Sequence, residues 1–149
     1  MQLIPIPQTH IDLAWHEGAS CLNEACDVSG GEITADQLKM VLSRGERSLL
    51  KMWDGERIRG WCVIRIDQLP NMRVLFITNL VAHNSDFKEF FIELKEIAKG
   101  LGGSSIRCGA GAVQERLYRM HCGFEKVYSI LEVKLWAVAA AAEQQPAIS

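Results

Sequence analysis

The sequence predicts an α/β fold, a mixed and mostly antiparallel sheet with helices on both faces, on three observations. Between residues 48 and 81 apolar side chains alternate or run together over strand lengths, broken by turn signals at Asp54-Gly55 and at 68–72, "QLPNM". From Ser85 the apolar period changes from 2 to 3.6, the spacing of an amphipathic helix. A short strand pattern, "SSIRCGA", then follows that helix, and a strand–helix–strand unit places its two strands parallel.

In chain order, 2–6 ("QLIPI") reads as a short strand that Pro5 and Pro7 confine to a sheet edge. Ile11, Ala14, Trp15, Gly18, Leu22 and Ala25 recur at helical spacing and predict a helix over about 10–25. A second helix starts at Thr34, whose hydroxyl can cap the first turn, and buries Ala35, Leu38, Val41 and Leu42. "SLLKMW" and the strand from Arg57 to Asp67 flank Asp54-Gly55, the signal of a two-residue hairpin. The second strand turns Ile58, Gly60, Cys62, Ile64 and Ile66 to one face. Its other face, with Arg57, Arg59, Trp61, Val63 and Arg65, is expected to be partly wet. Arg73 to Val81 is apolar almost throughout, as in a central strand.

In the following helix Phe87, Phe90, Phe91, Leu94, Ile97, Ala98 and Leu101 form one stripe, ended by Gly100, Gly102 and Gly103. A last helix over about 112–122 is expected to bury Val113, Leu117 and Met120 and to stop at Gly123. Phe124 to Trp136 then supplies a final strand or hairpin. Residues 1–136 thus read as one domain, and 137–149 as a low-complexity tail.

The formal net charge of -2 excludes a general polyanion binder, so no nucleic-acid partner is expected. No apolar run approaches the ~20 residues that span a bilayer, and the N-terminus lacks a signal-peptide pattern; no membrane association and a cytoplasmic location are expected. Five scattered cysteines, Cys21, Cys26, Cys62, Cys108 and Cys122, without a C-x-x-C pair, read as thiols of a reducing compartment, and no metal site is expected. "GAGA" at 109–112 lacks the Lys-Ser/Thr of a P-loop and reads as close packing of a helix on the sheet. Trp53, Trp61, Arg59 and Arg65 read as an aromatic and basic surface suited to a protein partner.

The closing segment "ERLYRMHCGFEKVYSILEVKL" and the central "LFITNLVAH…FKEFFIELKEIAKGLG" resemble the GNAT family of N-acetyltransferases, over roughly residues 2–136. The resemblance implies a GNAT-like fold, acetyl-CoA as cofactor, and transfer of acetyl to an amine on a small molecule or protein. It implies that the pantetheine arm of the cofactor lies along the backbone of Asn79, Leu80 and Val81, added like a strand. It places the pyrophosphate at the strand-to-helix turn "VAHNSDFKEFF", where Ser85 and Lys88 are the candidate contacts. Tyr118 is the candidate acid for the leaving thiolate, one residue before the position usual in the family, which Arg119 occupies here. His83 is the candidate base.

The chain departs from the family pattern at that turn. It is about five residues short, has no glycine, and carries Asp86 and Glu89 in the first helical turn, with Ser85 as the expected cap. Acidic residues there stabilise the helix and repel an anion. The alternative is therefore a GNAT-like binding or structural module without turnover, in the style of divergent bacteriophage-encoded proteins. A homodimer or a protein partner is compatible with either reading.

Overall fold

The computed structural model describes residues 1–27, 32–83 and 86–135. Five strands follow one another across a single sheet: β1 (Gln2–Pro5), β2 (Ser48–Trp53), β3 (Ile58–Leu69), β4 (Met72–Ala82) and β5 (Ser105–Cys108). Neighbours are antiparallel except β4 and β5, which are parallel and separated in sequence by helix α4 (Phe87–Gly100). The predicted edge strand, meander and parallel pair are all formed.

The two faces carry separate cores. Cys62, Ile64, Leu75 and Ile77 meet Phe90, Phe91, Leu94 and Ala98 of α4. The opposite face is covered by α1 (Ile11–Glu17), α2 (Leu22–Asp27) and α3 (Ala35–Ser43), whose Ile11, Ala14, Leu22, Leu38 and Leu42 enclose Leu49, Trp61 and Val63. The β3 face expected to be partly wet is dry at its centre, with Trp61 2% and Val63 0% exposed, and open to solvent towards Arg57 and Arg65. Strand periodicity shows that two faces exist, but not which receives a second layer.

Thr34 caps α3 as expected, accepting from the Gln37 backbone N–H while the Gln37 side chain accepts from the Thr34 N–H. The single helix expected over 10–25 is instead broken at Gly18, whose φ of 127° no helix accepts, and a 3-10 turn over Ala19–Cys21 separates α1 from α2. The β2–β3 connection is a four-residue loop, because the Asp54 carboxylate accepts the backbone N–H groups of Glu56 and Arg57 at 2.8 Å each. In α4 the stripe holds except at Leu101, which lies beyond the helix and is exposed.

The last helix, α5 (Ala112–Cys122), ends on Gly123 in the left-handed region, as predicted. It buries less than expected: Val113 and Met120 are both 70% exposed, and Tyr118 is among its inward residues. The glycines at 109 and 111 face open space or the Gln114 side chain, so close helix-to-sheet packing does not explain "GAGA". The final strand or hairpin expected from 124 does not form over the described residues 124–135. β-propensity produces a strand only where an edge receives it, and here Ile130, Leu131, Val133 and Leu135 remain solvent-facing. Trp136 and the expected tail over 137–149 lie outside the described residues.

Candidate functional site

The site begins with a register shift. β3 pairs Val63 with Asn79 and Ile64 with Ile77, leaving Thr78 as an extra residue in β4. A bulge of this kind bends a strand and increases its twist. The parallel pairing with β5 ends at the same point, at Ile77 and Cys108. Beyond it β4 runs on through Asn79–Ala82 paired with β3 alone, so its other edge is open among the described residues. The Thr78 hydroxyl lies 3.3 Å from the Val63 carbonyl and 2.9 Å from the Asn79 side-chain oxygen, and donates to one at a time.

The candidate cofactor strand therefore offers backbone rather than side chains. Asn79 is 5% exposed, and its amide reaches 4.0 Å from the Cys26 sulfur under α2. Leu80 packs in the α4 core, and Val81 against the α1–α3 core. The β3–β4 pair is unusually close here, because a Cβ on Gly60 would overlap the Val81 carbonyl oxygen and lie 2.9 Å from the Met52 sulfur.

Tyr118, on α5, packs against the start of α4. Its ring centroid is 5.4 Å from Phe87, the first residue of α4, and 5.7 Å from Phe124. Phe90 and Phe91 extend the cluster, with Phe91 5.0 Å from Phe124. The helix phase settles which residue faces inward. Tyr118 is half-buried, while Arg119 points to solvent and lies 3.9 Å from Glu115 one turn back. Burial, with Cys108, Cys122 and Cys62 adding to it, pushes the phenol up to about 12. Cys108 is pushed up to about 11 by burial and by Cys122, and burial also raises Cys62 and Cys122. At neutral pH the phenol thus holds its proton and the thiols are not nucleophiles. A cavity of about 250 Å³ opens beside Tyr118, lined also by Cys108 and Phe76.

The turn into α4 is built differently from its sequence reading. Asn84 and the expected cap Ser85 lie outside the described residues. Asp86 is at the N-cap and makes no side-chain cap hydrogen bond; its backbone N–H donates to the His83 carbonyl at 3.0 Å. The Asp86 carboxylate is held by Arg59 of β3, Nε to Oδ2 at 3.2 Å and Nη2 to Oδ1 at 3.3 Å. Arg59 lies 27 residues away in sequence, so the turn has a guanidinium that no local motif announces. His83 is exposed at the end of β4, and Lys88 is exposed in the first turn of α4.

The expected aromatic and basic surface is not one surface. Trp61 is buried, Arg59 serves Asp86, and Arg65 is bound to Asp67 at 3.0 Å while lying 4.5 Å over Phe76. The cysteines form no disulfide, and no group of three His, Cys, Asp or Glu side chains among the described residues is disposed to hold a metal ion. No helix among the described residues is long and apolar enough to cross a membrane.

No protein-family model and no curated protein matches the sequence. Solved structures do match its fold. The crystal structure of a probable acetyltransferase superposes with a TM-score of 0.66 at 16% identity, over 91% of this chain and 97% of that one. The ribosomal-protein-alanine N-acetyltransferase of Brucella melitensis biovar Abortus 2308 gives a TM-score of 0.64 at 12% identity, over 91% and 100%. A predicted acetyltransferase of Clostridium acetobutylicum, solved with acetyl-CoA, gives 0.63 at 16% identity, over 90% and 96%. The fold is that of the GNAT acetyltransferases.

Proposed function

We propose that the protein is an acetyl-CoA-dependent N-acetyltransferase that transfers the acyl group directly to an amine. The observation that carries this reading is the point where β4 outruns β5, at Ile77 and Cys108, with the protonated Tyr118 phenol in the cavity that Cys108 also lines. The residues fit the cofactor in part. The unpaired edge over Asn79–Val81 offers the alternating N–H and C=O groups that an extended amide arm needs. At the α4 N-terminus, Lys88 and the uncapped first turn suit a phosphate, with the Asp86 charge offset by Arg59.

Acetyl-CoA would supply an activated thioester, so that the amine nitrogen gains the acyl carbon as the carbon–sulfur bond breaks and coenzyme A leaves. Tyr118 holds its proton at neutral pH and donates it to the leaving sulfur, although burial makes the phenol a weaker acid than a free tyrosine. The ammonium proton passes to His83 or to water at the β4 end. The amine becomes an amide, and no bond to the enzyme forms.

A second reading is a module of the same fold without turnover. One observation favours it: the nearby guanidinium, Arg59, is already committed to Asp86, leaving Lys88 as the first-turn cation of α4. Calorimetric titration with acetyl-CoA separates the two. Saturable binding that raises the melting temperature supports the enzyme; a hundredfold excess over the dissociation constant adds about 2.7 kcal/mol. No heat and no shift at millimolar acetyl-CoA would leave the module.

A further inference from the structure

On the α1–α3 face of the sheet, a cavity of about 450 Å³ lies over β3, β4 and β5, and three arginines line it. Arg47 comes from the residue before β2, Arg65 from β3 and Arg107 from β5. No sequence motif links them, and the sheet register brings two of them together: Phe76 pairs with Arg65 on one side and Arg107 on the other.

Their states differ. Arg65 is neutralised by Asp67, Nε to carboxylate at 3.0 Å, and stacks over Phe76. Among the described residues neither Arg47 nor Arg107 belongs to an ion pair; Arg107 Nη2 lies 3.4 Å from the Met72 sulfur, a weak acceptor. Burial and the neighbouring Arg65 charge push Arg47 below the ordinary guanidinium range, against a smaller opposing effect of Glu32. Glu32 and Asp67 line the cavity too, so three arginines face two carboxylates, and the net positive charge of the lining, with Arg47 and Arg107 outside any ion pair among the described residues, favours an anion.

The position of this cavity ties it to the reaction. Thr78 and Asn79, the bulge where β4 leaves β5, form part of its wall. It shares Phe76, Arg107, Tyr128 and Ile130 with the cavity beside Tyr118, so the two spaces adjoin around the β5 edge.

We propose that this cavity holds the acceptor, and that the acceptor is a small amine carrying a carboxylate or phosphate group, gripped by Arg47 and Arg107. The identification as acceptor rests on the acyl-transfer reading above; the anion site itself does not. A cationic polyamine is the wrong ligand for it, whereas an amino acid or an aminoalkyl phosphate matches its charge and size.

The test is calorimetric titration of the full chain, without acetyl-CoA, with L-glutamate, O-phosphoethanolamine and spermidine. The wild type, Arg47→Gln, Arg107→Gln and the double variant are compared, with circular dichroism confirming that each is folded. At least one anionic amine should bind, its carboxylate or phosphate revealing the group preferred. Each arginine removed should weaken it by about tenfold or more, and spermidine should not bind. Spermidine binding as tightly as the anionic amines, failure of both anionic amines, or anionic binding unchanged in the folded double variant would overturn the proposal. A separate acetyl-CoA titration distinguishes the two failures. Bound acetyl-CoA with no arginine-dependent anion binding removes this site and leaves the acyl-transfer reading. Arginine-dependent anion binding with no acetyl-CoA binding removes the acyl-transfer reading and the word acceptor, and leaves the site.

Discussion

Arg59 and Asp86 meet through two N–H···O contacts, at 3.2 and 3.3 Å, and so fasten the first turn of α4 to the middle of the sheet. Their side chains are only 21% and 12% exposed. The pair explains how an acidic residue can sit at this turn without leaving a bare negative charge there. It also makes the turn adjustable by single substitutions.

Asp86→Asn should lower stability by about 1–2 kcal/mol, because one partner of a partly buried charge-assisted pair is lost. The same change removes a negative charge beside the open strand edge and leaves Arg59 with Asp54, 3.9 Å away, as its remaining carboxylate. Acetyl-CoA should therefore bind several-fold more tightly despite the lower stability. Urea denaturation and calorimetry read the two effects separately; unchanged or weaker affinity in a folded variant argues against an anion at this turn.

Tyr118 should titrate late. Burial raises its folded-state value from 10.0 to about 12, while the unfolded chain keeps the ordinary one. The folded protein then retains a proton that the unfolded chain gives up. The contribution to stability is full below pH 10 and declines as pH rises towards 12. Ultraviolet absorbance should show a phenol step near pH 12 that disappears in Tyr118→Phe. A wild-type chain with no such late step would contradict the burial described for this side chain.

Gly60→Ala should cost about 1–3 kcal/mol, since the added methyl overlaps the Val81 carbonyl oxygen and crowds the Met52 sulfur, forcing β3 and β4 apart. Thermal unfolding should show a fall of several degrees. A melting temperature equal to the wild type would mean that the two strands are not this close where the candidate cofactor edge begins.

The parts of this fold written in local patterns were legible. Asp54-Gly55 and the 48–81 alternation mark the meander, Thr34 and Gln37 mark the start of α3, and the Phe87 to Ala98 stripe marks α4. What depends on distant segments was not. Trp61 is dry because α1–α3 cover it, and Arg59 reaches Asp86 across 27 residues. Arg47, Arg65 and Arg107 converge only through strand register. The 124–135 segment shows the reverse: its apolar residues carry strand preference, yet they form no strand, and Ile130, Leu131, Val133 and Leu135 stay exposed. Residue spacing set Tyr118 one position before the family's usual tyrosine; the phase of α5, which turns Tyr118 towards Phe87 and Phe124 and Arg119 to solvent, depends on packing that spacing does not carry.

The central claim is that Tyr118 serves as the acid of an acyl transfer, and its most direct test is release of coenzyme A thiol. Wild type and Tyr118→Phe are each given acetyl-CoA with L-glutamate, O-phosphoethanolamine or spermidine. Amine-dependent release by the wild type should fall about 10²-fold or more in Tyr118→Phe, with acetyl-CoA affinity within twofold. Equal release by both proteins, or none from the wild type with any of these amines, would contradict it.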